Sequence, residues 1–258
     1  MIFNQKSLFT IVLLMVAMVG QAQTLKEDEI KEFTVNGVTF TMIRVEGGTF
    51  TMGAISEQGN DAFDDEIPTH CVTLSSYFIG ETEVTQALWQ AVMGNNPSKW
   101  NGKNLPVEQV SWNDCQTFIT KLNQLTGKKF RLPTEAEWEF AARGGTKSHG
   151  YKFSGSNNVD DVAWYEGNSG SRTHDVATKQ SNELGLYDMS GNVMEWCQDW
   201  YGSYSSEAQR DPKGPSSGSY RVNRNGSWIC FDWDCCVAKR NRYKVDGCGG
   251  NLGFRLAL

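Results

Sequence analysis

The stretch RLPTEAEWEFAARGG, residues 131–145, combines a helix start signal with a helix stop signal. Thr134 is followed three residues later by Glu137, and this spacing is typical of a capping box, in which each side chain accepts a hydrogen bond from the other residue's backbone. Trp138 and two alanines lie on one face behind the box, and two glycines end the pattern. The stretch predicts a short helix with one apolar face.

Two further helices are predicted before this stretch. Thr85 is a cap for a helix that runs through Met93, and Ser111 with Asp114 forms a second capping box. The apolar residues behind the second box recur at a helical period: Phe118, Ile119, Leu122 and Leu125. Helices of this length need a sheet or another helix to cover their apolar faces.

Strands are predicted at the start of the domain. Residues 33–45 alternate between apolar and polar side chains around Asn36-Gly37, which favours a β-hairpin with a tight turn. Residues 72–79 predict one more strand.

Residues 145–258 contain few helix signals and are rich in Gly, Asn, Ser and Trp. A loop-rich region of this size must satisfy its backbone polar groups through side chains such as Asn and Asp or through bound ions. Carboxylate and carbonyl oxygens exposed by such loops suit hard cations such as calcium. We therefore predict one α+β, irregular, loop-rich domain over residues 33–258.

Composition excludes several classes of protein. The chain has 258 residues, of which 39% are hydrophobic, and this content supports a packed core instead of a disordered chain or a coiled coil. Asp plus Glu total 30 against 24 Lys plus Arg, and the pI is near 5.2. An acidic balance argues against a nucleic-acid partner, which requires a basic face. We expect a monomer.

Residues 1–22 have the pattern of a signal peptide. One lysine precedes the apolar run at residues 8–19, and Gly20 and Ala22 are small residues at the positions that signal peptidase reads. The run is shorter than the roughly 20 residues of a membrane span, although an uncleaved anchor is the alternative. We predict a linker at residues 23–32, no membrane span after cleavage, and a periplasmic or extracellular location.

The seven cysteines all follow the predicted leader and would meet an oxidising compartment. Four of them lie between Cys230 and Cys248. No CxxC pair is present, and the three histidines are not spaced for a shared metal, so a structural zinc site is not indicated. Disulfides are the ordinary expectation for such cysteines.

Seven segments, in order along the chain, resemble the formylglycine-generating enzyme family, also called sulfatase-modifying factors. They are GGTFTMG (47–53), EVTQ (83–86), PVEQVSW (106–112), RLPTEAEWEFAARGG (131–145), GLYDMSGNVMEW (185–196), NGSW (225–228) and LGFR (252–255). The resemblance covers about residues 40–258. It implies a C-type-lectin-like fold with little regular structure and with bound calcium.

The resemblance also implies a reaction. Active members of the family oxidise a cysteine of an unfolded sulfatase segment to formylglycine, using O2 and a Cu(I) ion held by two cysteines. Cys230 and Cys235 match those two positions, and Ser227 matches the serine beside them. Thiolates are soft ligands that select Cu(I). The resemblance therefore implies Cys230, Cys235 and Ser227 as catalytic residues, with copper on the two cysteines.

Other interpretations stay open at this point. Two cysteines five residues apart in an exported protein also suit a disulfide, or a pairing with Cys236 or Cys248. Cys236 and the stretch 237–242 depart from the pattern of active members. The alternative function is a non-catalytic binding or scaffold domain of the cell envelope, and a third is oxidation of another substrate.

The resemblance implies a calcium site in the segment GLYDMSGNVMEW. Asp188 and Glu195 would supply carboxylates, and Gly191 and Val193 would supply backbone carbonyls. Oxygen ligands in a tight loop are the set that calcium prefers.

Overall fold

The computed structural model describes residues 29–59 and 62–258. The predicted signal peptide and the first part of the predicted linker lie outside these residues. The linker prediction ends too late, because strand β1 already begins at Ile30 (β1, Ile30–Val35). Its residues pair in register with strand β2 (Val38–Val45), so residues 30–32 belong to the sheet.

The predicted hairpin is confirmed. Asn36 and Gly37 both have positive φ, at 49° and 82°, which is the backbone of a tight two-residue turn between antiparallel strands. Strand β5 (Tyr77–Gly80) pairs with the other edge of β2 and completes a three-stranded sheet.

The predicted strand at residues 72–79 is two strands in different sheets. Strand β4 (His70–Leu74) pairs with β3 (Gly48–Met52), whereas β5 pairs with β2. The break falls at Ser75 and Ser76, whose hydroxyls are held by acidic side chains. The amide of Ser75 also donates to the Oδ1 of Asp211 at 2.7 Å, so this backbone group is bonded outside both ladders.

The three predicted helices form where their caps indicate. They are α1 (Gln86–Met93), α2 (Trp112–Thr126) and α3 (Glu135–Ala142). Both predicted capping boxes are present, and α1 and α2 end at glycines in the left-handed conformation. A fourth, short helix follows, α4 (Val159–Val162).

The second half of the chain contributes one four-stranded sheet. Its strands lie in the order β10-β6-β8-β9. They are β6 (Met194–Trp200), β8 (Arg221–Arg224), β9 (Arg240–Tyr243) and β10 (Leu252–Gly253), and the two-residue strand β7 (Gln209–Arg210) pairs with β4. Long loops join these strands, as the composition of residues 145–258 predicts.

Two apolar clusters form the main core. In the first, the rings of Trp89 on α1 and Phe118 on α2 stack at 5.2 Å, and Phe254 contacts both rings edge-on. In the second, α3 packs against strands from two of the sheets. The sequence predicts one buried face for α3, but all eight of its residues are buried, including three glutamates.

The charge of the buried glutamates is matched by buried arginines. Arg224 at the end of β8 donates to Glu135 at 3.0 Å and to Glu139 at 2.8 Å, and its side chain is fully buried. Arg240 binds Glu135 with two nitrogens, and Arg143 binds Glu139 at 2.9 Å. This ion network fixes α3 against the strand that leads into residues 225–228.

The network controls the protonation of both glutamates. Burial raises the pKa of Glu139, but the charges of Arg143 and Arg224 outweigh it, and the net pKa is lowered. The pKa of Glu135 is lowered in the same way by Arg240 and Arg224. The pKa of each carboxyl is therefore lower in the folded state than in the unfolded state. Each carboxylate stabilises the fold at pH values above its unfolded-state pKa, and this contribution is lost as the pH falls through its folded-state pKa.

We expect Arg224→Met to reduce the free energy of unfolding at pH 7 by about 3–5 kcal/mol, because it removes one of the two guanidinium partners of each buried carboxylate. The loss should shrink toward pH 4, where the carboxyls of the variant take up protons. Urea unfolding at both pH values measures this.

The control is Arg44→Met. Arg44 makes an exposed ion pair with Glu46, and removing such a pair costs about 0–1 kcal/mol. Equal losses in the two variants would contradict the role assigned to Arg224.

Candidate functional site

The predicted catalytic residues lie in the loop that follows β8. Residues 225–228 leave the strand, and a turn returns the chain to a 3-10 helix at Asp232–Cys235. The turn is closed by a hydrogen bond of 2.9 Å from the amide of Cys230 to the carbonyl of Ser227. We call residues 229–236 the thiol loop.

Ser227 and Cys230 are brought together at the start of this loop. The Oγ of Ser227 lies 3.1 Å from the Sγ of Cys230, and Asn251 donates to the same hydroxyl at 3.4 Å. Ser227 is fully buried, whereas Cys230 is half-buried. The hydroxyl therefore orients a thiol that solvent can reach.

Cys235 lies on the inner side of the loop and is fully buried. Its Sγ is 3.7 Å from the carbonyl oxygen of Phe231, and its own carbonyl accepts a hydrogen bond of 2.8 Å from Ser190. A Cβ on Gly226 would stand only 2.6 Å from this sulfur. The glycine is therefore required for the inner thiol to occupy its position.

Both thiols are held in their neutral form by the surroundings. Burial raises the pKa of Cys230, and the hydrogen bond to Ser227 opposes part of that rise. Burial raises the pKa of Cys235 further, and its neighbours Cys230 and Cys236 add to the rise. A ligand that binds the thiolate form would have to displace the thiol proton against these raised pKa values.

None of the seven cysteines, all within the described residues, forms a disulfide. The expected disulfides are therefore not the arrangement of this structure, and Cys230 and Cys235 are both thiols.

Sequence reasoning missed the apolar surface of the thiol loop. Ile229 is 53% exposed, Phe231 49% and Trp233 41%. The rings of Phe231 and Trp233 stack on each other at 4.5 Å instead of entering the core. The available signal was their alternation with polar and thiol residues, which is typical of side chains that point away from a buried face.

An open cavity of about 470 Å³ lies close to the loop. Trp100, Trp164 and His174 contribute to its wall, and Trp164 stacks on His174 at 3.7 Å. Trp100 contacts Trp228 edge-on at 4.9 Å, and Trp228 directly precedes the thiol loop. The aromatic rings in its wall make this cavity partly apolar.

The predicted calcium ligand Glu195 is occupied by protein partners. Arg255 donates to both of its oxygens at 2.6 and 2.7 Å, and the indole of Trp138 donates at 2.8 Å. Glu195 and Arg255 are both fully buried. The carboxylate that would neutralise a cation is thus already neutralised by a guanidinium.

The other predicted calcium ligands face a side-chain amide. The carbonyl oxygens of Asp188, Gly191 and Val193 accept from the Nδ2 of Asn225 at 2.9, 2.7 and 3.1 Å. The carboxylate of Asp188 accepts instead from the amide of Ala177 at 2.8 Å, and burial raises its pKa to about 6. The four residues therefore do not fit a calcium ion, because donors occupy the position of the cation.

Two comparisons with known proteins identify the family. Residues 26–258 match the sequence model of the sulfatase-modifying factor enzyme 1-like domain. The chain belongs to this family. It is 31% identical to a formylglycine-generating enzyme of Streptomyces coelicolor, over 83% of this chain and 88% of that enzyme. It is also 31% identical to the chaperone protein LppX of Paenibacillus barcinonensis, over 85% of this chain and 89% of that protein.

The solved structures agree with this assignment. Treponema denticola variable protein 1 superposes with a TM-score of 0.81 at 38% identity, over 88% of this chain and 98% of that one. The predicted α+β, loop-rich, single-domain fold of the family is confirmed. The relatives of this chain include both a formylglycine-generating enzyme and a chaperone protein. Membership of the family alone therefore does not define the reaction.

Within residues 29–59 and 62–258, no helix is both long and apolar enough to cross a bilayer. No group of three or more His, Cys, Asp or Glu side chains in those ranges is arranged around a common metal position.

We expect Gly226→Ala to displace the buried thiol. The added Cβ would meet Cys235 at 2.6 Å, and overpacking of a core costs about 1–3 kcal/mol. Urea unfolding measures the loss of stability, and the rate of alkylation of Cys235, followed by mass spectrometry, should rise.

Gly250→Ala is the matched control, because a Cβ there would find its nearest neighbours at an ordinary 3.5 Å. If Gly226→Ala left both stability and alkylation unchanged, the close approach would not constrain the site.

Proposed function

We propose that this chain is a formylglycine-generating oxidase, which uses copper to convert a cysteine of an unfolded sulfatase segment into formylglycine. The observation that supports the proposal is the contact of 3.1 Å between Ser227 and Cys230 in the loop that also holds Cys235. The predicted leader at residues 1–22 suits a protein that works after export, in the periplasm or outside the cell.

The thiol loop offers a donor set that suits Cu(I). Both cysteines are thiols, they lie in one short loop, and Cys230 is partly exposed. Soft sulfur ligands select Cu(I) over harder ions. Bound copper would supply the one-electron chemistry that activation of O2 requires.

Cys230 and Ser227 have different roles in the proposed reaction. Cys230 is the thiol that a client segment can approach, since Cys235 is fully buried. Ser227 fixes the orientation of Cys230 through its hydroxyl. Oxidation of the client cysteine to an aldehyde releases hydrogen sulfide and two electrons, whereas reduction of O2 to water takes four, so an external thiol pair must supply the other two.

We expect the purified, reduced domain to bind one Cu(I) ion, and Cys230→Ala and Cys235→Ala each to abolish binding. The measurement is copper per protein after gel filtration. A peptide with the sequence pattern Cys-x-Pro-x-Arg, incubated with the copper form, O2 and a thiol, should lose its sulfur by mass spectrometry.

Cys71→Ala is the control, because Cys71 is an exposed thiol on β4, outside the loop. Copper that stays bound in the Cys230 and Cys235 variants, or that is not bound at all, would rule out the oxidase.

The exposed apolar side chains of the loop favour a second candidate, a non-catalytic binding domain for a protein partner. Monomeric proteins rarely expose neighbouring large apolar residues without a partner. Aromatic residues dominate the binding energy of protein interfaces. This candidate requires Phe231 and Trp233, and it does not require the thiols.

The binding candidate predicts that Phe231→Ser with Trp233→Ser weakens binding of a reduced, carboxymethylated unfolded protein by about tenfold or more. Surface plasmon resonance measures the affinity. Cys230→Ala should leave it unchanged, and Leu125→Ser, an exposed position on α2, is the control. No change in the double variant would exclude this surface as the binding site.

A further inference from the structure

The side chain of Asn225 fills a pocket lined by backbone oxygens. Its Nδ2 lies 2.9, 2.7 and 3.1 Å from the carbonyl oxygens of Asp188, Gly191 and Val193. An amide nitrogen has only two hydrogens, so three acceptors share them. The three carbonyls converge on one point from a single tight loop, residues 188–193.

The oxygen of the same amide is used as well. The Oδ1 of Asn225 accepts from the amide of Gly191 at 2.7 Å and from the amide of Gly226 at 2.8 Å. Asn225 is fully buried, and its φ of 78° lies in the left-handed region that favours glycine. Five hydrogen-bond contacts compensate for this backbone conformation.

Convergent carbonyl oxygens are the usual ligands of a hard cation. Here the same oxygens receive hydrogen bonds from an uncharged amide, and the nearby carboxylate of Glu195 is paired with Arg255. Asn225 therefore satisfies the three carbonyl oxygens, and Arg255 balances the charge of Glu195.

We infer that Asn225 is a built-in substitute for a calcium ion, which holds the loop 188–193 in place without metal. The stability of this loop is then independent of calcium in the protein as it exists. Removing the side chain leaves three inward-facing carbonyls and a space between them, which is a nascent calcium site. The inference does not depend on the proposed oxidase.

Asn225→Gly tests the inference, since glycine tolerates the positive φ and leaves the pocket empty. In EDTA we expect its melting temperature to lie roughly 5 °C below that of the wild type, as loss of a few buried hydrogen bonds predicts. Added calcium chloride should restore most of this loss. Calcium should not change the melting temperature of the wild type.

Asn225→Asp is the second variant, because it keeps the acceptor of Asn225 and exchanges its donor for an oxygen. It should melt lower than the wild type in EDTA and recover in calcium. Magnesium should restore less, because it demands a tighter octahedral site. Asn36→Gly, at another asparagine of positive φ, is the control and should not respond to calcium.

Equilibrium dialysis with calcium gives a second measurement. Both variants of Asn225 should bind one more ion per chain than the wild type. Equal calcium binding by wild type and variants, a wild type that calcium stabilises as much as the variants, or variants as stable as the wild type in EDTA would each overturn the inference.

Discussion

The buried contact between Arg224 and the two glutamates of α3 holds the functional face in place. Arg224 ends strand β8, and the residues directly after it are Asn225, Gly226 and Ser227. Burying an arginine and two carboxylates is costly unless their hydrogen bonds are complete. Because Arg224 also donates to the carbonyl of Val237, at the far side of the thiol loop, one guanidinium fixes both ends of the loop.

A loop-rich chain depends on side chains for backbone hydrogen bonds that a sheet would otherwise supply. Asn225 does this for the loop 188–193, and Asn182 does it for the end of α3, where its amide donates to the carbonyl of Ala141 at 2.8 Å. A calcium ion could satisfy such oxygens equally well. In the segment that suggested calcium, the side chain of Asn225 already satisfies these oxygens.

The sequence predicts those helices and turns that are formed by hydrogen bonds between residues close together in the chain. The capping boxes at Ser111 and Thr134 and the turn at Asn36 depend on residues within four positions, so the sequence predicts them. The contacts that decide the candidate sites span much longer separations. Glu195 meets Arg255 60 residues away, and Asn225 meets Gly191 34 residues away, so a single sequence does not predict these contacts.

The thiol loop separates what the fold requires from what a partner could recognise. Gly226 and Cys235 are constrained by close packing, so their replacement disturbs the core. Ile229, Phe231 and Trp233 are about half exposed, and exposed side chains can change at small cost in stability. Recognition by this loop can therefore be altered without altering the scaffold. Such changes could alter the partner of either an oxidase or a binding domain. Only the oxidase also requires the two thiols of the loop, Cys230 and Cys235.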